Sequence, residues 1–352
     1  MKNKILLTSA LTGLVLSASA ASAQLTVSGN VNLSYKAVGN STTANKKESF
    51  DGFGKESQIN FGIKGKLNNG WDYAAGTSIE HDGPQMGDTY ANQQGMFNEN
   101  TYIDLINGNT TITIGTDHIQ NSDFSMANIA GFADFTELAD GIGGVQSVAL
   151  DNHNSPYNAF GVGIMQKTPA GIFSFLYAPS GTNNAAMSDI TDGAAKAGVG
   201  TANSAYEVGF RGDLGLKGLD AAVFYNSTDT ETPGEVTKAG KKKGKLAAAK
   251  YTFGNNITIA AERGVNTATT GLATSTNAYG LAYALSPNLT VGYTYAKTDV
   301  DAQTQDEKLS VVSLGYNLGP VLANAQYVKG ENVANSATAD GEALYLSIST
   351  KF

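Results

Sequence analysis

The stretch E-A-L-Y-L-S-I-S-T-K-F, residues 342–352, places Leu344, Leu346, Ile348 and Phe352 on one face of an extended chain and the intervening residues on the other. Strand side chains alternate between faces, so a period of two predicts a strand with one apolar and one polar surface. The same period recurs along the chain. Leu25, Val27, Val31, Leu33 and Tyr35 oppose Asn30, Asn32, Ser34 and Lys36. Ile59, Phe61, Ile63 and Leu67 alternate with Gln58, Asn60, Lys64 and Lys66. Tyr206, Val208, Phe210 and Leu214 alternate with Glu207, Arg211 and Asp213. Strands are expected at 25–37, 56–67, 71–80, 100–107, 110–117, 157–167, 171–178, 204–214, 218–227, 245–253, 257–263, 276–285, 289–298, 308–318, 321–330 and 342–352. That makes about sixteen, an even number as in bacterial single-chain barrels. Residues 145–151 offer one further candidate strand, which makes 118–156 the least defined region.

The connections sort by length. Short ones fall at 68–70, 108–109, 168–171, 215–218, 254–256, 286–288 and 319–320. Long ones, such as 179–203 and 227–244, are rich in Gly, Ser, Thr, Asn and Lys. Short turns at one end and long loops at the other describe a transmembrane antiparallel barrel. Aromatic residues near strand ends, among them Trp71, Tyr73, Tyr251, Phe253, Tyr293, Tyr295, Tyr316 and Phe352, fit the interfacial girdles of such a barrel.

Composition agrees. Charged residues are 15% of the 352, below the roughly 25% of soluble domains. No cysteine is present, so there is neither a disulfide framework nor a thiolate metal site. The net charge of -8 argues against nucleic acid, whose phosphates need clustered Lys and Arg. Residues 1–23 read as a cleaved signal peptide: Lys2 and Lys4, an apolar core around residues 11–16, and Ala21-Ser22-Ala23 as an A-x-A site, with the cut before Gln24. The apolar core is shorter than the roughly 18 residues of a spanning helix. Residues 24–352 are expected to form one barrel domain in the outer membrane of a Gram-negative bacterium.

Residues 342–352, with Phe352 at the end, resemble the closing strand of outer-membrane proteins, whose terminal aromatic is read by the barrel-assembly machinery. Q-L-T-V-S-G-N-V-N-L-S-Y, following the A-x-A site, resembles the opening strand of the Gram-negative general porin family. T-Y-I-D-L-I-N-G-N-T-T-I-T-I-G-T, residues 101–116, resembles its fourth and fifth strands. T-P-A-G-I-F-S-F-L-Y-A-P-S, residues 168–180, resembles its seventh strand with the preceding turn. The resemblance implies a sixteen-stranded homotrimeric pore, with the third long loop folded inward, for small hydrophilic solutes and ions. Two arginines that the family often carries are replaced: Thr116 follows the glycine of the fifth strand, and Lys167 is the sole base in 163–167.

An inward third loop, 118–156, would carry Asp123, Asp134, Glu137, Asp140 and Asp151 to the constriction, with no Lys or Arg beside them. Strand parity puts Lys36, Lys64, Lys66, Arg211 and Lys250 on the lumenal wall, because a base at mid-bilayer on the lipid face costs roughly 2–4 kcal/mol. Phe352 is the barrel-closure and assembly signal. A barrel hydrolase is the competing enzyme class, and three Asp–His neighbours exist, at His81, His118 and His153. No nucleophile elbow or H-E-x-x-H helix accompanies them, so no catalytic residue is assigned. A plugged structural or adhesive barrel is the third class, disfavoured because barrels of this size leave an aqueous channel. Asp299, Asp301, Asp306 and Glu307 cluster without calcium-loop spacing, and no cofactor is expected.

Overall fold

The computed structural model describes residues 24–40, 51–82, 97–116, 126–131, 138–139, 142–144, 150, 160–179, 204–231, 238–254 and 256–352. Sixteen antiparallel strands pair in sequence order and close on themselves. They are β1 (Gln24–Asn40), β2 (Gly52–Lys66), β3 (Asp72–Asp82), β4 (Phe97–Asn107), β5 (Thr110–Thr116), β6 (Gly161–Thr168), β7 (Gly171–Ala178) and β8 (Ala205–Gly212) in the first half. The second half holds β9 (Leu219–Glu231), β10 (Lys238–Phe253), β11 (Ile257–Thr267), β12 (Ala273–Ser286), β13 (Leu289–Val300), β14 (Glu307–Asn317), β15 (Val321–Glu331) and β16 (Asp340–Lys351). Every strand expected from the alternation is present. No helix among the described residues is long and apolar enough to cross a membrane. Of the candidate strand at 145–151, only residue 150 is described, so its state lies outside the structure's reach.

The seam between β1 and β16 runs from Asn30 opposite Lys351 to Asn40 opposite Glu342. Two further bonds extend it at the short-turn end. Gly29 N–H donates to Phe352 O, and Phe352 N–H donates back to Gly29 O, each at 3.0 Å. Gly29 is a glycine for a local reason: a Cβ there would lie 2.4 Å from Gln58 O and 2.5 Å from the Phe352 ring. The terminal aromatic thus lies across the backbone of β1 instead of projecting freely.

Paired residues of antiparallel strands share a face, so the register separates wall from lipid around the whole barrel. Leu25, Val27, Val31 and Leu33 on β1 face outward with Ile63, Phe61, Ser57 and Lys55 of β2. Leu344, Leu346 and Ile348 of β16 continue the same belt. Its side chains stay exposed in the isolated barrel: Leu33 is 56% accessible and Ile348 57%. An apolar surface this extended marks a partner or a membrane, and here lipid tails are its solvent. Tyr251 packs edge-on against Phe253 at the short-turn end. Tyr206 and Tyr225 pair nearer the long-loop end. Tyr293 and Tyr295, expected at a strand end, lie within β13.

The strand bounds differ from expectation mainly at the long-loop end. Residues 227–244, read above as a loop, are mostly wall: β9 continues to Glu231 and β10 begins at Lys238. Glu231 pairs with Lys238 at the top of this hairpin. Above the bilayer the strand faces water on both sides, so nothing selects an apolar alternation there. The short connections match their glycine and asparagine signals; Gly108 takes φ 57, as a two-residue hairpin turn requires.

Deleting Phe352 removes two seam bonds and the ring over Gly29. The folded, heat-resistant barrel recovered from outer membranes should fall several-fold while export continues, as read by gel mobility with and without boiling. Undiminished folded barrel would contradict this account of the seam.

Candidate functional site

The lumen is narrowed from within. Met126, Ala127, Leu138, Ala139, Ile142 and Leu150, all from the third long connection, are fully buried inside the barrel. Met126 N–H donates to Glu262 Oε2 at 2.7 Å. Thr294 Oγ1 donates to Ala127 O at 2.7 Å, and Gln326 Nε2 donates to Asn128 Oδ1 at 3.1 Å. These wall residues lie on β11, β13 and β15, so the loop leans on one side of the barrel. Glycine makes the approach possible. A Cβ at Gly280 would lie 2.1 Å from Ala127 O, at Gly292 2.5 Å from Ile129 O, and at Gly341 2.8 Å from Ile142 Cβ. Three wall strands, β12, β13 and β16, have thus given up side-chain volume where the loop passes. Beneath it a cavity of about 470 Å³ is lined by polar side chains, including Thr258, Thr290, Asn317 and Asn324, interleaved with small and apolar ones such as Ala282 and Leu322.

The lumenal wall carries buried carboxylates at several heights, from Glu262 within β11 to Glu307 at the start of β14. Glu80, Asp104, Glu207, Glu262 and Glu307 are each more than nine-tenths buried. Asp104 accepts from Thr113 Oγ1 at 2.6 Å. Glu307 accepts from the backbone N–H of Ala334 at 2.8 Å, and Glu207 accepts from Asn226 Nδ2 at 3.3 Å. Burial of a carboxylate is tolerated where hydrogen bonds replace its water. Sequence reasoning gave none of these five acids a place in the pore, and read Glu307 only as part of the acidic cluster 299–307. They sit at single polar positions of otherwise ordinary alternation, and Glu262 is set apart only by the loop bond from Met126.

The five cations expected on the wall all fall on the inward face by register, but not at one height. Lys36, toward the long-loop end of β1, lies over the Tyr345 ring at 5.6 Å. Lys66 is the last residue of β2 and pairs with Asp72 of β3 at 2.7 Å, with both groups largely exposed; such a pair adds little stability. Lys64, opposite Ala74, makes no ion pair among the described residues. Arg211 grips Asp220 with two bonds, Nε at 3.0 Å and Nη2 at 2.8 Å, and Lys250 joins the same carboxylate at 3.4 Å. Lys64, Lys66, Arg211 and Lys250 therefore gather near the short-turn mouth. Asp123, Asp134, Glu137, Asp140 and Asp151 lie outside the described residues, as do the side chain of Thr116, His118 and His153. His81 ends β3 on the outward face, opposite Ser57.

The acids 299–307 do separate work. Asp301 accepts from Ala273 N–H at 2.8 Å. The hydrogen bond from Lys297 holds the carboxyl of Asp306 below the usual carboxylate range. Glu307 points into the lumen. No group of three or more metal-ligating side chains converges among the described residues.

A polar lumen inside a closed sixteen-stranded wall, narrowed by its own third loop, is the architecture of a diffusion pore. The family model for Gram-negative porins matches residues 10–335. The chain belongs to the Gram-negative porin family. It is an outer-membrane channel for passive diffusion of small hydrophilic solutes. Solved structures share the fold at low identity. OmpF of Salmonella typhi, in complex with daunomycin, superposes with a TM-score of 0.65 at 11% identity, covering 94% of this chain and 98% of that one. An anion-selective porin from Comamonas acidovorans gives 0.64 at 13%, covering 94% and 100%. A loop-deletion mutant of OmpT, an outer-membrane protein of Vibrio cholerae, gives 0.60 at 12%, covering 94% and 99%. No curated protein matches.

The loop anchors make a direct expectation. Glu262→Ala leaves the Met126 N–H without its acceptor, a loss of about 1–3 kcal/mol at one attachment, and Gly280→Val drives a side chain into Ala127 O. Both porin variants should fold and insert, yet show noisier and altered single-channel conductance in planar bilayers. A conductance indistinguishable from the parent in both would mean that this loop does not narrow the pore.

Proposed function

We propose that this porin is a homotrimer, matured by removal of residues 1–23, whose three pores pass small hydrophilic solutes and ions with a mild preference for cations. The observation that carries the preference is the set of carboxylates on the lumenal wall, Glu80, Asp104, Glu207, Glu262 and Glu307, of which Glu262 also holds the loop. Four of the five wall cations lie near the short-turn mouth, where Asp72 and Asp220 match Lys66, Arg211 and Lys250, while Lys36 stands toward the long-loop end. Asp123, Asp134, Glu137 and Asp140 belong to the same loop and add negative charge at the constriction. A narrow passage of low dielectric focuses the field of such charges, which enriches cations and slows anions. The Comamonas acidovorans relative in fold is described as anion-selective; the present balance of charges argues for the opposite sign.

Trimerisation rests on the family resemblance. Outer-membrane lipid and the barrel-assembly machinery are the partners implied by the apolar belt and by Phe352. The chain is not an enzyme in this reading: His81 faces outward at the end of β3, away from the lumenal carboxylates. A plugged adhesive barrel is not favoured, since the loop leaves polar space beneath it.

Purified protein in planar bilayers should give stepwise conductances in groups of three, with reversal potentials across a salt gradient that favour cations. The preference should fade at high salt, where charges are screened beyond a few ångströms. Lys64→Ala with Lys66→Ala should strengthen the cation preference modestly. An anion-favouring reversal that disappears in this double variant would show that the lysine wall governs the pore, and electrical silence of the folded protein would remove the channel reading altogether.

A further inference from the structure

The cavity beneath the third loop differs from the rest of the short-turn mouth in charge. Its walls come from β11 to β15, and Ile129, Ala130 and Gly131 of the loop cover it. Among the described residues no charged side chain lines it. Elsewhere in the same mouth Lys66 stands with Asp72, and Arg211 and Lys250 with Asp220. Asn256, Pro287 and Asn288 at the rim of the cavity lie in short connections between strands. The cavity is therefore on the short-turn side of the loop, which is the periplasmic side of such a barrel.

The polar groups on its wall are only half used. Thr258 Oγ1 lies 3.0 Å from Thr252 Oγ1. Asn317 Oδ1 accepts from the Gly319 N–H at 2.8 Å, and Asn324 Nδ2 donates to Ser347 Oγ at 3.3 Å. Each amide keeps its other end, a donor on Asn317 and an acceptor on Asn324. The Thr290 hydroxyl has no hydrogen-bond partner among the described residues. Gly315 stands opposite both Thr290 and Asn324 and leaves the wall bare between them. A Cβ there would lie 3.3 Å from Asn324 Oδ1 and 3.6 Å from Ala130 O. Leu322, opposite Asn317, turns its side chain toward the same space and stays 42% accessible. Ala282 and Ala284 add apolar surface on β12.

We propose that this cavity is a transit site for neutral saccharides, an inference that rests on the reading of the barrel as an open diffusion channel. A sugar ring has hydroxyl groups that donate and accept around its edge and C–H groups on its faces. The cavity offers the matching set: amides and a hydroxyl with unused donors and acceptors, beside Leu322 and two alanines. The charge balance selects the occupant. An ion would shed its water here and meet no opposite charge, and a wholly apolar solute would leave the amides unpaired. The volume, about 470 Å³, falls in the range of about 300–1,000 Å³ usual for small-molecule sites. A sugar resting there narrows the water path beside it, so its binding is readable as a fall in ion current.

The test is the current through single channels of the full barrel in planar bilayers, with D-glucose added on both sides. Each current is divided by that of the same channel without sugar, and a polyethylene glycol of matched size is the comparison solute. In the parent, glucose should reduce the current in a saturating way, half-saturating at about 10 mM, weak enough for the solute to leave. The glycol lacks the hydroxyl pattern and should reduce it only in proportion to concentration. Thr290→Val with Asn324→Leu should raise the half-saturating concentration about tenfold, and Gly315→Val, which fills the space between them, should lose saturation. Folding is checked by heat-dependent gel mobility; if the double variant misfolds, Thr290→Val alone serves, with a rise of a few-fold. A parent current that falls equally in glucose and in the glycol would overturn the saccharide site while leaving the open channel intact, as would a folded variant that saturates like the parent. Electrical silence of the folded parent would overturn the channel reading and the site with it.

Discussion

Every backbone N–H and C=O that crosses a bilayer must be bonded within the protein, because the hydrocarbon offers no water to replace a missing partner. For a chain with no spanning helix among its described residues, that requirement has one solution: the strands close. The seam between β1 and β16 is therefore where the fold is either complete or absent. The reciprocal bonds between Gly29 and Phe352 extend that seam at the end of the chain. Closure then dictates what the two faces do. Outward positions meet lipid and become the Leu, Ile, Val and Tyr belt; inward positions meet water and are free to carry charge.

The inward face performs two tasks that compete for the same positions. It must leave room for solute, and it must hold the third loop in place. The structure divides them by side. β11 to β16 present glycines at 280, 292, 330 and 341 and an acceptor at Glu262, so the described part of the loop packs there. β8 to β10 keep Arg211, Asp220 and Lys250 as a solvent-facing cluster at the mouth. Carboxylates that anchor a loop also set the sign of the field beside it, which links the mechanical fixing of the constriction to its selectivity.

The architecture was legible in the sequence to the extent that lipid imposes alternation on it. Strands inside the bilayer, such as β7 and β15, fell within a residue of their expected bounds, and the turns announced themselves through glycine and asparagine. Where strands rise into water the signal ends: 238–244 reads as a lysine-rich loop yet is β10, with Lys241, Lys243 and Lys245 keeping strict register. The site was less legible. Register sets Lys64 and Arg211 on the inner face, but parity in the sequence carries no information on height, so cations at the mouth are indistinguishable there from cations at a constriction. Nor does a lone Glu262 or Gly280 differ in sequence from any other polar or small lumenal residue. Their role exists only once Met126 and Ala127, more than a hundred positions earlier, are laid against them.

The central claim is that the barrel is an open aqueous channel whose width is set by the inward third loop. Liposome swelling with uncharged sugars of graded size tests this most directly, since it reads width without charge. Reconstituted protein should admit the smallest sugars fastest, with rates falling steeply as size increases, and Gly280→Val should shift that size dependence while the barrel stays folded. Liposomes that fail to swell in any sugar, with the folded barrel inserted, would contradict the account.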